Sequence, residues 1–341
     1  LLPAGSAAPD NFSQNSEISG MTQVKTPQDP EYWCVSDDKT EIQVFSITAD
    51  GKLTLLREID PFSGDEAKRP KFPDFEALAV VDNAYGNPQT VIISSEPKYD
   101  KETKALLAPQ TFYSLDLSDG SVTTYSLPLE LEGKNGIEAI TVIDLPDGEK
   151  AIVAITEDPQ GLTHQVLTLR LPSITNPNTK LTLLNQAEID LSEVPAAFGI
   201  DNPEEKVIPQ IKEVFAGPDG DLKFLVGLFN KDSDNPKNAS IVYSLSLEGE
   251  ANNGKTAETA PKLVIHDEGF APKEGFFPGV PTIVNPWSDN YEAAVYGPDW
   301  VLNLISDNNS DPKQDQNHLW VNDAPQAPRA PSEALVSAYV L

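Results

Sequence analysis

The sequence predicts an all-β chain folded as a β-propeller of four-stranded antiparallel blades, and three observations predict it. The apolar runs are short, rich in Val, Ile, Leu, Tyr and Phe, and bounded by Gly, Pro, Asn and Asp; with helical periodicity nearly absent, they read as strands. A glutamate opens such a run five times, in Glu17-Ile18-Ser19-Gly20, Glu76-Ala77-Leu78-Ala79, Glu138-Ala139-Ile140-Thr141, Glu213-Val214-Phe215-Ala216 and Glu292-Ala293-Ala294-Val295. A polar cluster follows each time: Ser36-Asp37-Asp38, Ser94-Ser95-Glu96, Thr156-Glu157-Asp158, Asn230-Lys231-Asp232 and Ser306-Asp307-Asn308. Four antiparallel strands repeated along a chain are the signature of a propeller. A β-sandwich would also show many short strands, but it gives no reason for a glutamate at the same place in each unit.

The units follow in order. The first copy predicts strands over 18–24, 32–35, 41–47 and 52–59, and the second over 75–81, 90–95, 111–117 and 121–127. The third predicts 137–143, 150–156, 165–171 and 180–184, with Pro146-Asp147-Gly148 as its first turn. The fourth predicts 212–216, 222–228, 240–247 and 262–266. The fifth is the least regular, with 291–296, 301–305, 318–321 and a last strand over 335–341. The glutamates are 59, 62, 75 and 79 residues apart, the drift being absorbed by insertions such as 176–180 and 249–261. Residues 1–14 read as an N-terminal extension and 15–341 as one propeller, with blades near 16–60, 74–128, 136–191, 210–267 and 289–341. Five blades are favoured; a sixth would have to come from 190–209 plus 270–285, where the repeat is missing.

Composition narrows the partners. With 53 acidic against 24 basic residues the formal net charge is −29, which counts against nucleic acid or an anionic membrane surface. Such a surface favours solubility, the monomeric state and attraction of cations. The single cysteine, Cys34, excludes an intrachain disulfide and sits in an apolar run as a small hydrophobe would. No stretch approaches the ~18 apolar residues of a membrane-spanning helix. The start Leu1-Leu2-Pro3-Ala4, without methionine, reads as a mature end, and with the triplets at Asn11, Asn238 and Asn308 it points to a secreted or periplasmic protein.

The repeat also implies a site. Glu76 and Glu96 are equidistant from Gly86, as Glu138 and Asp158 are from Gly148, so a simple hairpin sets each pair side by side at its open end. The first strand of a propeller blade lines the central channel, so the repeat brings five glutamates and several second-strand acids to one mouth. Carboxylates this close must be protonated, turned apart or paired with a cation. None of the four arginines (Arg57, Arg69, Arg170, Arg329) falls in these motifs, and only Lys212 and Lys231 adjoin them. A hard cation such as Ca²⁺, which takes ~6–8 oxygen ligands, is one solution. The other is structural: repeated polar side chains can bond the next blade's backbone and hold the ring together.

Phe75-Glu76-Ala77-Leu78-Ala79-Val80 followed by Ile93-Ser94-Ser95-Glu96, and Asn290-Tyr291-Glu292-Ala293 with Leu304-Ile305-Ser306-Asp307-Asn308-Asn309, resemble the phytase-like ("esterase-like activity of phytase") propeller domains. The chain departs from that pattern with Ala77, Ala139 and Ala293 where the family has glycine. The resemblance implies an exported propeller. Analogy with calcium-dependent lactonase and esterase propellers implies Ca²⁺ in the channel, with Glu17, Glu76, Glu138, Glu213, Glu292, Asp307 and Asn308 as candidate metal ligands.

Other chemistries lack their residues: there is no HExxH, CxxC, Gly-rich phosphate loop or Gly-x-Ser-x-Gly elbow. Of three histidines, His164 and His318 follow the acidic ends of blades three and five and are the candidate general bases. Phosphate esters are disfavoured because a polyanion calls for basic residues around the metal. The expected function is an ester or lactone hydrolase with a channel calcium. The alternative is a non-catalytic scaffold for a protein or glycan, and a two-carboxylate glycosidase is a third reading. A small-molecule or glycan ligand would find stacking partners among Tyr32, Trp33, Phe276, Phe277, Trp287, Trp300 and Trp320, or these pack in the core.

Overall fold

The structure, a computed structural model, describes residues 6–7, 18–24, 30–37, 39–47, 53–72, 74–82, 88–129, 131, 136–145, 147–157, 163–172, 180–191, 207–216, 222–230, 238–248, 262–264, 290–296, 302–307 and 318–321. A two-residue strand β1 (Ser6–Ala7) precedes the first blade, which contains β2 (Ile18–Val24), β3 (Glu31–Ser36), β4 (Ile42–Ile47) and β5 (Leu53–Ile59). The second blade has β6 (Phe75–Asp82), β7 (Pro88–Ser95), a small hairpin β8 (Lys98–Tyr99) and β9 (Leu106–Ala108), then β10 (Thr111–Asp116) and β11 (Val122–Ser126). The third has β12 (Ile137–Asp144), β13 (Lys150–Thr156), β14 (Thr163–Arg170) and β15 (Thr182–Asp190). The fourth has β16 (Val207–Ala216), β17 (Leu222–Asn230), β18 (Asn238–Glu248) and β19 (Lys262–Val264), and the fifth β20 (Asn290–Tyr296), β21 (Leu302–Asp307) and β22 (His318–Val321).

Each blade is a four-stranded antiparallel meander with its first strand innermost. The inner strands β2, β6, β12, β16 and β20 pack on one another in that order, and β20 returns to β2, so the ring closes with five blades. Of the segments considered for a sixth blade, 207–209 belongs to β16 and 270–285 lies outside the described residues. The fifth blade takes its outer strand from the chain's beginning: Ser6 pairs with Leu319 and Ala7 with His318. Those two residues are thus part of the ring rather than of an extension, while the expected strand over 335–341 lies outside the described residues.

Both faces of a blade are covered by its neighbours, which is why the strands read as near-continuous apolar runs instead of alternating ones. Between blades one and two lie Trp33, Val35, Ile42 and Val44 against Phe75, Leu78, Val91 and Ile93. Phe62, from the connector after β5, enters that layer edge-on to Tyr113 at 5.3 Å. Between blades two and three, Ala77, Ala79, Ile92 and Phe112 meet Ile137, Ile140, Ile152 and Leu167. Each fully buried side chain of this kind contributes about 1.5–3 kcal/mol. One polar clamp crosses the same layer: buried Gln110 accepts from the Ile137 amide and donates to Ser94 Oγ, both at 3.0 Å. No helix among the described residues is long and apolar enough to cross a membrane.

Candidate functional site: a carboxylate cluster on the inner strands

In every blade the first hairpin skips one residue of its inner strand. The residues left out of the ladder are Ser19, Glu76, Glu138, Lys212 and Glu292. A bulge of this kind re-aims the extra residue's side chain. It also aligns the blades differently from the sequence motif at two places: Ser19 and Lys212, not Glu17 and Glu213, are the counterparts of Glu76, Glu138 and Glu292. Matching letters could not detect the slip, because Glu213 stands one residue past the bulge and Glu17 two residues before it. Hairpin symmetry misjudged the partners as well. With Leu145 bonded to Glu149 and Ala139 paired with Ile155, Glu138 stands beside Ile155 and Thr156 rather than opposite Asp158. Likewise Glu76 lies beside Ser94 and Ser95 rather than opposite Glu96.

Beyond the second strand the chain is held the same way in blades two and three. The Glu96 amide donates to the Asp74 carbonyl, and the Glu157 amide to the Gly136 carbonyl, both at 2.9 Å. The Glu96 side chain then crosses to the next blade. A Cβ built on Gly136 would lie 2.0 Å from its Oε1, so the missing side chain is what admits it. Glu157 reaches the corresponding residue of the fourth blade, Gln210, whose Nε2 donates to it at 3.4 Å. As a result one carboxylate oxygen each of Glu96, Glu138 and Glu157 lies within 4.8 Å of the others. Oε1 of Glu96 is enclosed and has no hydrogen-bond partner among the described residues.

Burial and mutual repulsion set the charge state. The Glu96 carboxyl is pushed up to about 9, first by burial and then by Glu138 and Glu157, with Lys98 opposing. Glu76 keeps partial access to solvent yet lies deep in the protein mass; burial, then Glu138 and Glu96, raises it well above the usual carboxylate range. Lys98 is itself paired with Asp74 at 2.5 Å. Lys212 Nζ lies 3.2 Å from Glu138 Oε1, and both side chains are nearly buried (13% and 11% exposed). Three close hard oxygens, from residues that include the partly unsatisfied Glu96 carboxyl, form a donor set that suits a hard divalent cation.

The remaining candidates separate. Glu213 is buried, and its carboxylate spans to the first blade, accepting from the Met21 amide at 3.1 Å and from its own neighbour Val214 at 3.0 Å. Burial lifts its carboxyl well above the ordinary range despite those two donors. It occupies the place held by Gly20, Ala77, Ala139 and Ala293 elsewhere, and it holds blades together. His164 is fully buried inside β14, its Nδ1 2.7 Å from the Thr156 carbonyl, and does not overhang the channel mouth. His318 pairs through its backbone with Ala7. Glu292 lies at the fifth bulge and Asp307 pairs with Asn290 at the end of β21; Glu17 and Asn308 lie outside the described residues. Tyr32 and Trp33 are core residues, Trp320 lies in β22, and Phe276, Phe277, Trp287 and Trp300 fall outside the described residues. Glu157 was visible only as a member of a polar cluster, and Glu96 as the expected hairpin partner of Glu76 at the channel mouth, neither among the named ligands. The signal that marks them is positional: each is the first acid after its blade's second strand, and a glycine precedes the bulge glutamate only in blade three.

No family model and no curated protein matches the chain. Among solved structures it is similar to an endo-arabinase from Bacteroides thetaiotaomicron at 10% identity, covering 93% of this chain and 96% of that one, with a TM-score of 0.46. It is also similar to MPT-4, a mannose phosphorylase from Leishmania mexicana, at 13% identity, 95% and 89% coverage and a TM-score of 0.46. A third is the α-L-arabinanase of Penicillium chrysogenum, at 8% identity, 89% and 80% coverage and a TM-score of 0.40. Likenesses this distant carry no argument about activity. The propeller assignment rests on the strand pairing and ring closure described above.

Proposed function

We propose that the carboxylate cluster is a divalent-cation site of the calcium type and that it serves hydrolysis of an ester or lactone. The observations that carry this reading are the convergence of one carboxylate oxygen each of Glu96, Glu138 and Glu157 within 4.8 Å and the enclosure of Glu96 Oε1 without a partner among the described residues. These three side chains would hold the ion. When bound, such an ion supplies charge neutralisation and Lewis acidity. Around it, Glu76 sits in a setting that favours its protonated form, as a proton donor to a leaving group requires. The substrate class follows the analogy with calcium-dependent lactonase and esterase propellers, in which Glu76, Glu138 and Glu292 are among the candidate ligands.

A second reading has its own observation. Burial raises Glu76 and Glu96, and a carboxyl held protonated among neighbouring carboxyls is the equipment of two-carboxylate glycoside hydrolysis. One experiment addresses both. Chelator-treated protein is titrated with Ca²⁺ by calorimetry, then assayed on aryl esters, lactones and aryl glycosides with and without the ion. The first reading expects micromolar-to-millimolar binding and calcium-dependent ester or lactone turnover, both lost in Glu138→Gln. Calcium-independent glycoside turnover would replace it with the second reading, and no binding with no turnover would leave a scaffold.

A further inference from the structure

The fourth blade breaks the ring's charge pattern at the site itself. Where blades two, three and five have glutamate at the bulge, blade four has Lys212, and its ammonium sits on Glu138 at 3.2 Å. The second strand changes at the same place. In blades one, two, three and five the residue after the second strand's pairing position is Asp37, Glu96, Glu157 or Asp307, but in blade four it is Gly227. Gly227 lies alongside the lysine stem, where a Cβ would be in ordinary van der Waals contact with Lys212 Cγ at 3.4 Å and Cε at 3.7 Å. Exchange of an acid for glycine and of a glutamate for lysine in the same blade removes two carboxyls from the cluster and adds one cation.

From this juxtaposition we infer that Lys212 is a tethered counter-ion that competes with the divalent cation for Glu138, and so sets the cation concentration at which the site fills. The inference rests on the cation-site reading above. Glu138 cannot give the same oxygen to both at full strength: an ammonium within hydrogen-bond reach of a ligand repels an incoming dication, and the repulsion is large where both side chains are nearly buried. Cation binding therefore has to move the ammonium off Glu138. Lys212 is a specificity-determining residue in this sense, since a site with a resident monovalent charge responds to divalent ions only above a threshold.

The test is calcium calorimetry on chelator-treated wild type, Lys212→Met, Lys212→Gln and Lys212→Arg, with thermal melting to check that each is folded. Wild type and Lys212→Arg are expected to bind alike, and Lys212→Met and Lys212→Gln roughly tenfold or more tightly. Binding seen only in the two neutral variants also supports the inference. Calcium bound by wild type but no tighter, or more weakly, by both neutral variants overturns the inference and leaves the cation site standing. No binding by any of the four overturns both. The glutamine variant retains a polar tip, so a folding failure of the methionine variant alone does not remove the comparison.

Discussion

Replacing Gly136 by alanine should separate the carboxylate cluster from the stability of the fold. The added Cβ would fall 2.0 Å from Oε1, 2.5 Å from Cδ and 2.7 Å from Cγ of Glu96, so that side chain cannot stay where it is. The clash is with the end of a flexible side chain and not with backbone, and Gly136 does not occupy the left-handed region. Relief therefore requires only that Glu96 rotate away, carrying a strained, buried carboxyl toward water. Loss of chain entropy in the unfolded state favours alanine by about 0.4–1 kcal/mol. The expected result is a melting temperature unchanged or slightly raised. Calcium affinity should fall at least as much as loss of an outer-shell partner costs, roughly 10–100-fold. Calorimetry and a melting curve in chelator measure the two effects separately. Wild-type calcium affinity in Gly136→Ala would refute the role given to Glu96. Destabilisation well beyond 2 kcal/mol would show that Glu96 is locked where it is, and that the space beside Gly136 is structural.

Two other outcomes follow from the same geometry. Glu96, with a folded value of about 9 against an unfolded value near ~4.3, holds its proton in the folded state after the unfolded chain has released it. The stability this gives is complete below the unfolded value and is lost as pH rises through the folded one. Melting temperature in chelator should thus fall from pH 5 to pH 9, with the fall reduced by calcium and in Glu96→Gln; a flat profile in chelator would contradict the burial of these acids. Glu213→Ala should cost about 1–3 kcal/mol by leaving the Met21 amide without its acceptor, with calcium affinity little changed. A large loss of calcium binding in a folded Glu213→Ala would instead return Glu213 to the ion site.

The ring could be read from sequence because its cause is local. Val91-Ile92-Ile93 or Ile152-Val153-Ala154 must be strand, and buried on both faces, to make sense of its composition. The repeat could then be counted from the glutamates. The site was only half readable. A bulge changes which residue leaves the ladder without changing which residues are present, so Glu213 looked like Glu76 although its neighbour Lys212 holds that place. Glu213 became a bond between blades for the same reason. Reach across blades was invisible as well. Nothing in Ser94-Ser95-Glu96 says that this glutamate will lie against Gly136, some forty residues on, because the contact is made by two hairpins that meet only in the ring.

The pairing of Ser6 with Leu319 gives the molecule a particular order of assembly. Strand contacts within a blade are short-range and form quickly, but this one joins residues far apart in sequence and must await the synthesis of β22. Until β1 docks, β22 is an outer edge with an unpaired row of amides and carbonyls, the kind of edge that recruits strands from other chains. A chain trimmed of Ser6 and Ala7 would keep that edge open after the other blades had formed. The few residues at the start of the chain thus act as a latch, deciding whether the last blade finishes on its own molecule or on a neighbour.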